Sequence, residues 1–111
     1  MFRLALFASG SGTNVHNICE YFQNHNSIKP EIVLSDKEDA YALERAKHLN
    51  VKSEYFNYIS TSSEVLLEKI KYHKVTHIIL AGYLRLVPSK IIKTFKNKIL
   101  NIHPSLLPKF G

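Results

Sequence analysis

The chain has 111 residues, of which 45% are hydrophobic, and a net charge of +6 with neutral histidines. This length suits one domain with one core, and no window holds the ~18 apolar residues that a membrane helix needs. The lysines are spread along the chain, without the aromatic-interleaved basic stripe or zinc-finger spacing that would indicate nucleic-acid binding.

Apolar runs alternate with segments of helical period. The predicted strands are residues 4–8, 32–35, 54–58, 77–81 and 99–102, and the predicted helices are residues 13–24, 39–50, 62–73 and 88–96. Most strands are continuous apolar runs, which is typical of a parallel sheet covered on both faces. The sequence therefore predicts one α/β domain over residues 1–111, an open and mostly parallel sheet of about five strands with helices on both faces.

Three predicted helices have start signals. Thr61 and Glu64 form a T-x-x-E capping box before an apolar run. Asp36 and Asp39 are candidate caps of the second helix, and Pro88 suits a first helical position. Asp36 could instead bind a ribose, but the dinucleotide-binding fingerprint that would support this role is incomplete.

Ligands of open α/β sheets bind at the carboxyl ends of the strands, near the switch in strand order. This rule selects residues 9–14, 35–39, 82–87 and 101–108 as candidate ligand segments.

The first of these segments, residues 9–14, is a glycine turn between a strand and a helix. Glycine permits close ligand approach, and the helix N-terminus exposes unpaired amides that suit a phosphate. Val15 stands where the dinucleotide fingerprint needs its third glycine, and no Walker lysine is present. A plain turn capped by Ser11 or Thr13 fits equally well.

The last segment places two polar side chains at a strand end. Asn101 and His103 point to the same side of the strand because directions alternate. An amide can stabilise an oxyanion and an imidazole can transfer protons at neutral pH. Ser105 lacks the G-x-S-x-G surroundings of a nucleophile. The alternative is that both side chains satisfy loop backbone.

Four blocks resemble the folate-dependent formyltransferases, in order along the whole chain. They are SGSGTN at 9–14, residues 35–46, LAGYLRLV at 80–87 and NIHPSLLPKF at 101–110. The last block is specific to the superfamily, and the first narrows the resemblance to the glycinamide ribonucleotide branch, which acts in purine biosynthesis.

The resemblance implies formyl transfer from 10-formyltetrahydrofolate, a consumed co-substrate, to the amine of glycinamide ribonucleotide. The residues themselves predict no metal, no nucleic-acid partner, no membrane association and a cytoplasmic location. The implied catalytic residues are Asn101 and His103, the phosphate ligands Gly12, Thr13 and Asn14, and the folate contacts Leu84, Arg85, Leu86, Val87 and Asn101. The alternatives are another folate-dependent formyltransferase, a formyltetrahydrofolate hydrolase, or an inactive phosphate- or nucleotide-binding fragment.

The resemblance covers roughly the N-terminal half of that family, so residues 1–111 form a partial formyltransferase domain. The other half supplies a catalytic aspartate that pairs with the histidine. These 111 residues alone are therefore expected to be nearly inactive. The strand at 99–102 is expected to be an exposed edge through which chains can self-associate.

Other residues carry weaker signals. His73 and His77 have a metal-ligand spacing, but a helix end separates them and no third ligand is near. His16 could assist a phosphate, although a surface position fits better. Cys19 suits the core and, as the single cysteine, fits a reducing cytoplasm. The side chain of Arg85 could form an ion pair instead of contacting ligand.

Overall fold

The computed structural model describes residues 1–102, in which strands and helices alternate. The strands are β1 (Phe2–Ala8), β2 (Ile28–Ser35), β3 (Lys52–Tyr55), β4 (His77–Ala81) and β5 (Ile99–Ile102). The helices are α1 (Thr13–Tyr21), α2 (Tyr41–His48), α3 (Ser63–Tyr72) and α4 (Ser89–Thr94). No helix within residues 1–102 is long and apolar enough to cross a membrane.

The strands form one sheet in the order β3-β2-β1-β4-β5, and every pair is parallel. The chain runs outward from β1 to β3 and then crosses back to β4 on the other side of β1. The switch in strand order therefore lies between β1 and β4. The predicted open parallel α/β sheet is confirmed.

The core lies on both faces of the sheet. Leu4, Leu6 and Ala8 of β1 pack with α1 and α2, whereas Ala5 and Phe7 pack with α3 and α4. Alternate residues of β1 thus enter two separate apolar clusters. This explains why the strand is a continuous apolar run rather than an alternating one.

Three strands differ from the predicted bounds. Strand β1 begins two residues before its prediction. The prediction of 54–58 for β3 was wrong, because β3 is a partly exposed edge strand with little apolar signal. The apolar run that suggested residues 54–58 mostly follows the strand, and Phe56 there enters the core. Strand β2 begins four residues before its prediction and contains Pro30 beside a register shift in its pairing with β1. Such irregular positions tolerate proline.

The predicted caps were also wrong in detail. The N-cap of α3 is Ser62, whose side chain accepts a hydrogen bond from the Val65 amide at 3.1 Å, so Thr61 does not cap it. The N-cap of α2 is Ala40, without a side-chain bond, so neither Asp36 nor Asp39 serves there. Pro88 stands at the N-cap of α4 and not at the first helical position.

Within residues 1–102, β5 pairs with β4 alone. Leu100 on this strand is 59% exposed. The predicted exposed edge is therefore present in this part of the chain, and self-association through it stays a prediction.

Candidate functional site

Three segments meet at the carboxyl ends of the central strands. Residues 9–12, hereafter the glycine turn, follow β1, Asp36 follows β2, and residues 82–87, hereafter the β4 loop, follow β4. The Ser9 amide donates to the Gly82 carbonyl at 3.2 Å, which joins the glycine turn to the β4 loop. This junction lies at the switch in strand order, where open α/β sheets bind ligands.

The glycine turn is built against α2. Gly12 is the N-cap of α1 with φ 76°, and a Cβ atom there would lie 2.4 Å from the Ala42 Cα. The Ala42 amide donates to the Gly10 carbonyl at 3.1 Å, and Arg45 Nε donates to the Ser11 carbonyl at 2.8 Å. Glycine at position 12 is therefore required by both its conformation and its close contact.

The N-terminus of α1 is open to an anion. It has no side-chain cap, contrary to the possibility that Ser11 or Thr13 caps it, and its first turn contains no acidic residue. Thr13 is exposed and Asn14 is partly exposed. The first amides of a helix lack intrahelical acceptors and carry a partial positive charge, so a phosphate placed here would be stabilised.

A buried carboxylate links all three segments. Asp36 Oδ1 accepts from the Ser9 hydroxyl at 2.7 Å, and Asp36 Oδ2 accepts from Arg85 Nε at 3.0 Å. The Asp36 side chain has no solvent exposure. A buried charge is costly without partners, and these two contacts satisfy both oxygens.

Two further hydrogen bonds hold the backbone of the β4 loop. The Ser9 hydroxyl also accepts from the Leu84 amide at 2.9 Å, and the Tyr58 hydroxyl donates to the Leu86 carbonyl at 2.9 Å. The Arg85 guanidinium lies 4.7 Å from the centre of the Tyr58 ring, within cation–π range. The Arg85 side chain is thus turned toward protein groups.

The β4 loop presents apolar side chains to solvent. Leu84 is 81% exposed and Leu86 is 83% exposed. Their backbone is fixed by the bonds described above, so the exposed side chains are held on an ordered segment. Such a surface suits the apolar ring of a ligand.

Tyr83 anchors the same loop from below. Its ring packs 5.2 Å from that of Phe7 and 6.4 Å from that of Phe56, between centroids. Burial raises the pKa of the Tyr83 hydroxyl well above its usual range, and the nearby Asp36 adds to this effect. Among the described residues the buried hydroxyl has no hydrogen-bond partner.

Asn101 lies at the exposed end of β5, opposite Leu80 of β4. Ile99 packs into the cluster under α3 and α4, and alternation places Asn101 on that same face. Residues of the β4 loop, Tyr83 and Val87, pack against the same cluster. His103, the predicted proton-transfer residue, lies outside the described residues.

The weaker candidates take structural positions. His16 Nε2 lies 3.8 Å from Glu20, and His77 Nδ1 lies 2.8 Å from the Thr76 hydroxyl. Residues 1–102 contain no group of three side chains that could hold a metal ion. Cys19 is in the core as predicted, where burial raises the pKa of its thiol to about 11.

Sequence reasoning missed three residues that support the site: Ser9, Tyr58 and Arg45. Ser9 was noted only as part of the glycine segment, although a polar residue directly after a central strand is a signal in itself. Tyr58 and Arg45 act on backbone carbonyls 28 and 34 residues away. No local pattern could have indicated these contacts.

Comparison with known proteins identifies relatives over the full chain. The profile of the formyl transferase family matches residues 2–111. Phosphoribosylglycinamide formyltransferase of Bacillus subtilis is 34% identical over 116 residues, which cover 99% of this chain and 60% of that protein. The protein of the same name from Haemophilus influenzae is 35% identical, covering 100% of this chain and 55% of its own length. This chain thus spans little more than half the length of these curated relatives.

Solved structures give the same correspondence. Glycinamide ribonucleotide transformylase 1 from Symbiobacterium toebii superposes with a TM-score of 0.86 at 37% identity, covering 99% of this chain and 55% of that one. The protein of the same name from Geobacillus kaustophilus also gives a TM-score of 0.86, at 35% identity, covering 100% of this chain and 62% of that one.

Proposed function

Since this chain belongs to the formyl transferase family, we propose that it carries the substrate-binding half of a phosphoribosylglycinamide formyltransferase. The reaction moves a formyl group from 10-formyltetrahydrofolate to the amine of glycinamide ribonucleotide in purine biosynthesis. The observation that carries the proposal is the junction of the glycine turn with the β4 loop at the switch in strand order. This junction supports a phosphate subsite and an apolar subsite that lie side by side.

The substrate phosphate is proposed to bind at Gly12, Thr13 and Asn14. The uncapped N-terminus of α1 supplies amide donors, and the Asn14 side chain can add another. The positive φ of Gly12 turns the backbone into the helix without a side chain in the way.

The folate is proposed to bind along Leu84, Arg85, Leu86 and Val87, mainly through their backbone. The exposed side chains of Leu84 and Leu86 offer apolar contact. Arg85 Nε is paired with Asp36, which supports a ligand contact made mainly through the Arg85 backbone.

Asn101 and His103 are proposed to carry the chemistry. The substrate amine forms a bond to the formyl carbon, the bond from that carbon to N10 of the folate breaks, and a proton moves from the amine to N10. The Asn101 amide would donate to the oxyanion that develops on the formyl oxygen. His103 would move the proton. The lone, buried Cys19 suits a cytoplasmic setting for this reaction.

Calorimetric titration of residues 1–111 with glycinamide ribonucleotide tests the proposal. Binding is expected, and Asn14→Ala is expected to weaken it about tenfold because it removes a donor to a charged group. The matched control is Asn17→Ala, which changes an exposed residue of the same helix one turn from Asn14. Absent binding, or equal affinity for Asn14→Ala and Asn17→Ala, would count against the proposal. Equal affinity for inorganic phosphate would indicate a simple phosphate-binding module instead.

A further inference from the structure

The contacts of Asp36 differ in kind from those of a helix cap or a ligand-binding acid. Its side chain is fully buried at the end of β2, and its two oxygens engage residues from two other segments. Neither oxygen faces the open surface of the glycine turn or the β4 loop. The carboxylate therefore acts within the protein.

The β4 loop is held by the packing of Tyr83 and Val87 against the apolar cluster and by a small set of hydrogen bonds. Its backbone is joined to the rest of the described protein through Ser9 on one side and Tyr58 on the other. Ser9 is itself oriented by Asp36, because the hydroxyl that accepts from the Leu84 amide donates its proton to the carboxylate. Arg85 connects the same carboxylate to the ring face of Tyr58. Asp36 is thus connected to both sides of the loop, directly through the Ser9 hydroxyl and, by way of Arg85, to the ring of Tyr58.

The glycine turn, in contrast, has anchors that do not involve Asp36. The Ala42 amide and the Arg45 side chain bind carbonyls of the turn from α2. Gly12 also lies against the backbone of Ala42. Loss of the Asp36 contacts should consequently disturb the β4 loop much more than the glycine turn.

We propose that Asp36 is a positioning residue, which holds the β4 loop in its folate-binding form through Ser9 and Arg85. Only one part of this inference, the identity of the ligand as a folate, rests on the proposed function. The contacts of Asp36 with Ser9 and Arg85, hereafter the brace, lie within residues 1–102. They can therefore be tested with and without ligand.

The principal variant is Asp36→Asn. The asparagine oxygen can still accept from Ser9, but its amide group cannot accept from Arg85 Nε, and the charge is lost. Affinity of residues 1–111 for 10-formyltetrahydrofolate, measured by calorimetry, is expected to fall about tenfold, as for a lost charged hydrogen bond. Affinity for glycinamide ribonucleotide is expected to change by less than about threefold, because the sites have separate anchors.

Glu31→Gln is the matched control. Glu31 lies in the middle of β2, where it pairs with Arg3 and is partly buried. This change also removes one acid from an arginine pair on the same strand, but it is remote from the β4 loop. Both affinities are expected to stay at the wild-type level.

Amide hydrogen exchange, followed by NMR without ligand, distinguishes positioning of the β4 loop from a general contribution to stability. In Asp36→Asn the Leu84 amide is expected to exchange about tenfold faster, whereas the amides of Leu6 and Ile79 in the sheet stay protected. Uniformly faster exchange, or an equal loss of both ligand affinities, would show a general loss of stability and overturn the inference. Unchanged exchange at Leu84 would overturn it as well.

Ser9→Ala provides a second route if Asp36→Asn does not fold. It removes the acceptor of the Leu84 amide and one donor to Asp36 while leaving the Arg85 pair. The same local increase in exchange at Leu84 is expected, and its absence would refute the brace. If wild-type protein binds neither ligand, the proposed function fails, while the exchange experiment still decides the role of Asp36.

Discussion

Substitution of Gly12 by alanine should destabilise the protein through two separable effects. Gly12 has φ 76°, a conformation that costs an L-residue about 1–2 kcal/mol. Its new Cβ would also lie 2.4 Å from the Ala42 Cα and 2.6 Å from the Ala42 Cβ, where ordinary contact begins near 3.4 Å. The turn and α2 would have to separate by about 1 Å, which strains the hydrogen bond from Ala42 to Gly10, worth about 1 kcal/mol.

The expected total loss is therefore about 2–3 kcal/mol, a large share of the ~5–15 kcal/mol that stabilises a typical domain. Two other glycines separate the contributions. Gly82 has φ 75° but open space around its Cβ position, so Gly82→Ala should cost only the backbone term of about 1–2 kcal/mol. Gly10 has open space around its Cβ position and no positive φ. The free energy of unfolding of Gly10→Ala should therefore stay within about 0.5 kcal/mol of wild type.

Urea unfolding followed by far-UV circular dichroism measures this series. The urea midpoint should be highest for Gly10→Ala, lower for Gly82→Ala and lowest for Gly12→Ala. The dependence of the free energy of unfolding on urea should be similar for all three variants. If Gly12→Ala is no less stable than Gly82→Ala, the close contact with Ala42 contributes nothing and the reasoning fails. If Gly10→Ala is the least stable, the assignment of the constrained glycine is wrong.

Three further predictions concern single side chains. Ser62→Ala should cost about 1 kcal/mol in urea unfolding because it removes the bond to the Val65 amide, whereas Thr61→Ala should stay near wild type; equal losses would contradict the cap assignment. Tyr83→Phe should leave the melting temperature unchanged or raise it, since it removes a buried hydroxyl without a partner among the described residues; a clear fall would reveal a partner. The pKa of Cys19 rises from 9.0 to about 11 on folding, so the unfolded thiol ionises first and stability should fall as pH rises from 9 to 11. Comparison of wild type with Cys19→Ala at pH 8 and pH 10 isolates this effect, and identical pH dependence would contradict it.

The fold was predictable because most of its strands carry a strong and local signal. Both β4 and β5 have the predicted bounds, since their apolar residues face packed clusters or neighbouring strands. Strand β3 was shifted because it lies at the edge of the sheet, where pairing with β2 requires no apolar run. The polar residues of β3, from Lys52 to Glu54, gave no indication in the sequence that they pair with β2.

The meeting of the segments of the candidate site was also predictable, but their internal contacts were not. The rule for parallel sheets selected the glycine turn and the β4 loop from sequence. The hydrogen bond between Ser9 and Leu84 joins residues 75 positions apart, and the pair of Asp36 with Arg85 spans 49 positions. Local sequence made Asp36 resemble a helix cap, because an acid shortly before a helix has that meaning in most contexts.

The ion pair in the middle of β2 and the pair just beyond its carboxyl end differ in what else holds their residues. Glu31 pairs with Arg3 of the neighbouring strand, and both residues lie within strands of the sheet. Asp36 pairs with Arg85 of the β4 loop, beyond the last paired residues of its sheet. Under the proposed function, the β4 loop leaves its own backbone and apolar side chains open to a ligand, so covering them cannot stabilise it. It has to be held from its protein side, and a buried carboxylate with two fixed partners supplies directional contacts there that apolar packing cannot.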